Sequence, residues 1–210
     1  LWSSPGRSGS RSCDGLCNAV SCRPVGNTKD PPEVFSKACV IARSAPREVG
    51  TIEHLINRPE EGVHVPVESL TLDAAEGIIG DRWKSTAWLR LDDGAPDPRV
   101  QVSMTNTRVM QCFTGDAPGA VYGCGDNLYV DFCLTEEALP VGTHLQMGDA
   151  ILELSDEVND ACGKFVQRYG AEAFRFIRDA DNMPLRLRGV FLRIHRSGTI
   201  QVGDTITAVG

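Results

Sequence analysis

Two stretches near the C-terminal end share one pattern and limit what the rest of the chain can become. GTHLQMGDAILEL, from Gly142, and GTIQVGDTITAV, from Gly198, each read as a strand, a Gly-Asp turn and a second strand. Glycine supplies the permissive backbone of the turn, and aspartate hydrogen-bonds across it. A hairpin repeated in this way suits a β-barrel, in which edge strands find partners instead of staying open. Other segments point the same way. HVPVESLTL alternates Val63, Val65 and Val67 with His64, Pro66 and Glu68, and NLYVDFCL alternates Leu128, Val130 and Phe132 with Tyr129, Asp131 and Cys133. KACVIARSA reads as a further strand, and another is expected around Val100 to Met104, after the loop DDGAPDP. Helix is predicted in few places. TNTRVMQCF forms one short helix with Thr105 or Asn106 as its cap. In DACGKFVQRYGAEAFRFIRDA, Phe165, Val166, Tyr169, Phe174 and Ile177 recur at helical spacing, with Gly170 as a break between two helices. The expected fold is mainly β, a barrel with a few short helices inserted.

Composition narrows the partners. The 210 residues are 41% apolar and 23% charged, enough to bury a core in one domain without covalent staples. Residues 1–32 are rich in Ser, Gly, Arg and Pro without period and read as a disordered tail, leaving 33–210 as a single domain. A net charge of −7 argues against broad nucleic-acid binding, which needs a basic surface, though a local arginine pocket for a small anion stays open. No apolar run is long enough to span a bilayer and no signal core is visible, so no membrane partner is expected and the cytoplasm is the default location. The early cysteines Cys13, Cys17, Cys22 and Cys39 are irregularly spaced for zinc, and reduced thiols are expected throughout.

Four clusters could carry chemistry. GIIGDRW exposes Asp81 and Arg82 together, or is a salt-bridged turn. YGCGDNLYVD, with Asn127, could aim backbone N–H groups at an anion, or be a turn that leads into a strand. In NMPLRLRGVFLRIHR an extended chain sets Arg186 and Arg188 on one face, where an anion would bridge them; a solvated strand face is the equal alternative. Cys162 stands at a helix start, followed by Lys164. It works as nucleophile, sulfur carrier or soft-metal ligand only as thiolate, and free cysteine is also a common core residue, so residue chemistry leaves it undecided. Cys112, Cys124 and Cys133 read as packing.

The order of GIIGDRW, QVSMTNTRVM, CGDNLYVDFCL, LPVGTHLQMGDAILELSDEVNDACGKF and LRLRGVFLRIHRSGTIQVGDTI resembles the MOSC domain family, named for the C-terminal domain of molybdenum cofactor sulfurase. The resemblance runs from about Val49 to Val209. It implies a barrel of the pyruvate-kinase-barrel kind that handles the molybdenum cofactor (molybdopterin) or sulfur. It implies Cys162 as sulfur carrier or molybdenum ligand, Asp81 and Arg82 as pocket residues, and Asn127 beside the cofactor; anion contact by Arg186 and Arg188 is inferred from their chemistry. Implied partners are the cofactor or a sulfur donor protein, and an external electron donor if the chain reduces N-hydroxylated compounds, as some of the family do. The alternatives to a cofactor-binding or sulfur-carrier protein are that reductase and a non-catalytic small-molecule-binding barrel. Two departures stand out: DDGAPDPRVQVSM replaces the usual Gly-rich stretch after GDR, and Asp160-Ala161 precedes the cysteine.

Overall fold

A computed structural model describes residues 31–209; the expected tail lies outside the described residues, apart from its last two positions. Helix α1 (Pro31–Ser44) leads into the long strand β1 (Val49–Asn57), then β2 (Val65–Val67), β3 (Ser69–Asp73) and β4 (Gly77–Ile78). The short α2 (Trp83–Thr86) precedes β5 (Val102–Asn106), α3 (Thr107–Thr114) and β6 (Leu128–Asp131). Strands β7 (His144–Met147) and β8 (Ala150–Leu154), helix α4 (Gly163–Ile177), and β9 (Val190–Arg196), β10 (Gly198–Gln201) and β11 (Thr205–Val209) complete the chain.

Among the described residues, seven strands close on themselves in the order β1-β11-β7-β8-β9-β5-β6 and back to β1. The length of β1 makes closure possible: Val49–Thr51 pair with β11 on one edge, and Thr51–Leu55 pair with β6 on the other. Strands β5 and β6 run parallel, while the other barrel pairs are antiparallel. A parallel pair needs a crossover, and α3 with the 3₁₀ turn Ala120–Cys124 supplies it. A second sheet, β10-β3-β4, lies beside the barrel.

The barrel is filled by side chains from alternate positions. Met104, Leu128, Leu145, Leu152, Leu192 and Ile206 are fully buried in one cluster. A second cluster lies outside the wall, where Ala38 of α1, Met110 and Phe113 of α3 and Phe165 and Ile177 of α4 cover Tyr129 of β6. Strand β6 is thus buried on both faces: Leu128 and Val130 point into the barrel and Tyr129 packs under the helices.

Local chemistry explains most of the element boundaries. Asn106 caps α3, its side chain accepting from Val109 N at 3.0 Å. Gly170 has φ 88° and ψ 161° inside α4 and divides it, a backbone that only glycine adopts readily. The β7–β8 hairpin turns at Gly148, where a Cβ would come within 2.6 Å of Thr199 O. The Gly-Asp turn of the first repeat is therefore packed onto the second repeat.

Three expectations are corrected. KACVIARSA is not a strand but part of α1: Phe35, Ala38, Cys39 and Ala42 fall at helical spacing and bury one side against α3 and α4. GTIQVGDTITAV is strand, turn, strand, yet its halves do not pair with each other. Strand β10 joins β3, while β11 joins β1 and β7. The segment with Arg186 is not extended, because Met183–Leu185 form a 3₁₀ turn and Arg186 has φ 48°. No helix among the described residues is long and apolar enough to cross a membrane.

Candidate functional site

A cleft of about 330 Å³ opens at one end of the barrel, lined by Arg58 and His64 from the loop after β1, Arg82, Cys124 to Asp126 and Arg188. More of its wall comes from the segment Val158 to Cys162 and the first turns of α4, including Lys164 and Arg168, with Trp88, Ser103 and Phe191 completing it. Six separate parts of the chain meet here, so the site exists only once the barrel has closed.

Two buried ion pairs build the cleft floor. Arg58 Nε donates to Asp81 Oδ2 at 2.9 Å and Nη2 to Oδ1 at 3.3 Å, with the Asp81 side chain fully buried. The same carboxylate accepts from Asn127 Nδ2 at 3.0 Å and from Trp83 N at 2.8 Å. Asn127 is itself held by Ser103 N and by the carbonyl of Ile56. Asp81 and Asn127 therefore stand behind the cleft and orient Arg58, whose Nη1 also reaches Gly125 O at 3.0 Å. The other pair is Arg188 with Asp126, at 2.6 Å, both side chains almost wholly buried. Burial opposes the Arg188 charge, and the Asp126 carboxylate more than offsets it, so the guanidinium pKa is raised. Buried pairs of this kind add little net stability, but losing one partner is costly, which makes them positioning devices.

Two further guanidiniums have no carboxylate partner among the described residues. Arg82 Nη1 donates to Thr86 Oγ1 at 3.2 Å, and its Nε is buried without a partner. Arg168 Nη1 donates to Gly123 O at 2.5 Å. Lys164 is neutralised by Glu61. His64 feels the surplus: burial lowers its pKa, and Arg168, Arg58 and Arg82 lower it further, so it favours neutral imidazole. A recess with excess positive charge sits on a chain of net charge −7.

The cleft holds two thiols of opposite exposure. Cys124 is buried, its pKa pushed up to about 12 by burial, with Arg188 pulling it back and Tyr169 OH 3.4 Å from its sulfur. Cys162 is exposed. Its backbone is extended, and its carbonyl rather than its thiol closes the first turn of α4, accepting from Phe165 N at 2.9 Å. The residue before it, Ala161, has φ 69°, a conformation that costs a non-glycine residue on the order of 1 kcal/mol and re-aims the chain at this point.

Of the residues singled out by sequence, Cys162, Arg82 and Arg188 line the cleft, and Asp81 and Asn127 lie one layer behind. Arg186 is turned away. Its Nη1 donates to the carbonyls of Leu139 at 2.6 Å and Leu134 at 3.3 Å, because the left-handed backbone at 186 breaks the alternation that would have set it beside Arg188. Sequence reasoning missed Arg58, His64 and Arg168, while Cys124 is buried as the packing residue it was read to be. Only Arg168 carried a usable signal, a cation on the polar side of a helix that begins at the candidate cysteine.

The family model for the MOSC domain matches residues 98–207, from just before β5 into β11. The chain belongs to the MOSC domain family. Solved structures agree on the fold. YuaD from Bacillus subtilis superposes with a TM-score of 0.55 at 20% identity, over 75% of this chain and 94% of that one. YiiM from Escherichia coli gives 0.51 at 14%, over 76% and 70%, and YiiM from Geobacillus stearothermophilus gives 0.51 at 14%, over 77% and 75%. No curated protein matches the chain. MOSC domains are associated in general with the molybdenum cofactor. The matched segment of this chain supplies Cys124 to Asn127, Cys162, Arg168 and Arg188, whereas Arg58, His64 and Arg82 come from the part before it.

Proposed function

We propose that the cleft binds the molybdenum cofactor, with Cys162 presenting a thiolate to the metal or carrying sulfur. The observation that carries this reading is the convergence of two guanidiniums without carboxylate partners, Arg82 and Arg168, on the cleft that holds the exposed thiol of Cys162. Arginine suits a phosphate because its N–H groups form a fork, and a soft thiolate suits molybdenum–sulfur chemistry.

The residues present fit such a group. Arg82 Nε and Asp126 Oδ1 are buried without hydrogen-bond partners, one a donor and one an acceptor. Arg82 and Arg168 would hold the phosphate, and Asp126 would accept from an N–H of the pterin. Arg188 holds the Asp126 carboxylate in place. Asp81 and Asn127 keep Arg58 pointed at the cleft. When bound, the cofactor supplies a molybdenum centre that exchanges oxygen or sulfur with a substrate. In the carrier role, the Cys162 thiolate attacks the outer sulfur of a donor persulfide; a new S–S bond forms at Cys162, and the donor leaves as its thiolate. Cys124, protonated at neutral pH, takes no part.

The test compares wild type with Cys162→Ser, both purified from a host that makes the cofactor, for molybdenum, released pterin and cysteine persulfide by mass spectrometry. Molybdenum with pterin in the wild type and not in the variant supports ligation. Persulfide at Cys162 without metal supports the carrier role. Two folded proteins with neither signal would overturn both.

A further inference from the structure

Two of the four histidines in the chain meet on the outer wall of the barrel, away from the cleft. His144 of β7, Glu153 of β8 and His195 of β9 come from three adjacent strands, and one ligating atom of each lies within 4.8 Å of the others. The imidazoles stack at 4.4 Å between centroids and 30° between planes, and His144 Nε2 lies 3.9 Å from Glu153 Oε2. Register explains the meeting. His144 is directly opposite Glu153, and the β8–β9 ladder slips at His195, where Leu152 faces Ile194 and Ile151 faces Arg196. That slip leaves His195 unpaired in the ladder on the outward side of β9.

From this arrangement we infer a binding site for one divalent transition-metal ion of the zinc, cobalt or nickel class, held by His144, Glu153 and His195. Two imidazoles and one carboxylate suit borderline ions and not magnesium or calcium, which prefer all-oxygen shells. Donors bound to such an ion at about 2 Å lie roughly 3.3 Å apart, so the three side chains close by small rotations, without movement of the strands. Both His144 and Glu153 are half-buried, which keeps their rotamers limited. The fourth position is left to water. Arg193, opposite Glu153 in the ladder, and Arg196, bonded to Gln146, carry positive charge on this wall and work against the ion. Because the ligands belong to neighbouring strands, a bound ion pins β7, β8 and β9 together from outside. None of the three lines the cleft, so the site is independent of the cofactor reading.

Tag-free protein would be dialysed against chelator, its accessible thiols alkylated, and then titrated with cobalt(II). The site predicts visible d–d absorption saturating at one ion per chain. With cobalt at about a hundredfold excess over its Kd, the unfolding midpoint should rise by about 5 °C or more. His144→Ala/His195→Ala should abolish both signals, and Glu153→Gln should weaken binding about tenfold while the chain keeps its wild-type circular dichroism. Absence of d–d bands in the wild type, or bands unchanged in both variants, would overturn the inference.

Discussion

Asp81 shows how much one buried carboxylate can organise. It accepts from Arg58, Asn127 and the Trp83 amide, and its side chain has no exposure. Asp81→Asn keeps the volume but faces Asn127 with a second amide and leaves Arg58 a buried charge without its partner. The expected cost is about 3 kcal/mol in denaturant unfolding, together with weakened anion binding in the cleft; a loss under about 1 kcal/mol would show that the pair does not fix the floor. His64 adds a pH dependence. Its pKa is lowered in the fold by burial and by Arg168, Arg58 and Arg82, from the ordinary 6.5. Below that value the unfolded chain binds a proton that the folded chain refuses, so stability falls as pH drops from about 6.5 through the folded pKa and is unaffected above it. Chemical denaturation at pH 7.5 and pH 5.5 should show this loss in wild type and a smaller loss in His64→Gln. Equal losses in both would remove His64 as the cause.

Among the elements, α3 is one whose start was readable beforehand, as α4 is at Cys162. Asn106 sits one residue before the helix, and its side chain does two jobs there. Its oxygen accepts from Val109 N, and its nitrogen donates to Phe132 O at 3.0 Å. Asn106→Ala removes both in a buried setting, and thermal and denaturant unfolding should report a loss of about 2 kcal/mol; Asn106→Asp, which keeps the cap, should recover part of it. The same reasoning located the two halves of α4 on either side of Gly170. It failed for α1, where a short apolar run fits strand and helix alike and length is the only arbiter. It failed again at Arg186, because one residue in left-handed backbone after a 3₁₀ turn breaks the alternation between 186 and 188, and no composition signal marks a non-glycine residue in that state.

For the molecule as a whole, closure is the sensitive step. Gly50 lies in the pairing of β1 with β11, and a Cβ there would come within 2.5 Å of the Phe132 ring at Cδ2 and 2.7 Å of its Cβ. Gly50→Ala forces Phe132 aside where the last strand meets the first, and the expected cost is about 2 kcal/mol, lowering the unfolding midpoint by roughly 4–8 °C. A neutral effect would mean that the seam is looser than its packing indicates.

The amino-acid sequence by itself determined the local features: strands from alternation, turns at Gly-Asp, the cap at Asn106 and the break at Gly170. These depend on interactions a few residues apart, so their causes lie within a short window. The ordered series of motifs around GDR, GDNLYVD and the later cysteine pointed to the family as well. Only the tertiary structure decided which charges share a cleft. Arg58, Arg82, Arg168 and Arg188 are far apart in sequence and come together through barrel closure, and whether each is neutralised depends on Asp81 or Asp126 being opposite it. It also decided that β10 and β11 part company, and that His144 and His195 lie across β8 from each other. Charge pairing and strand partnership are long-range choices, set by which surfaces a closed barrel brings within a few ångströms, and no short stretch of the chain encodes them alone.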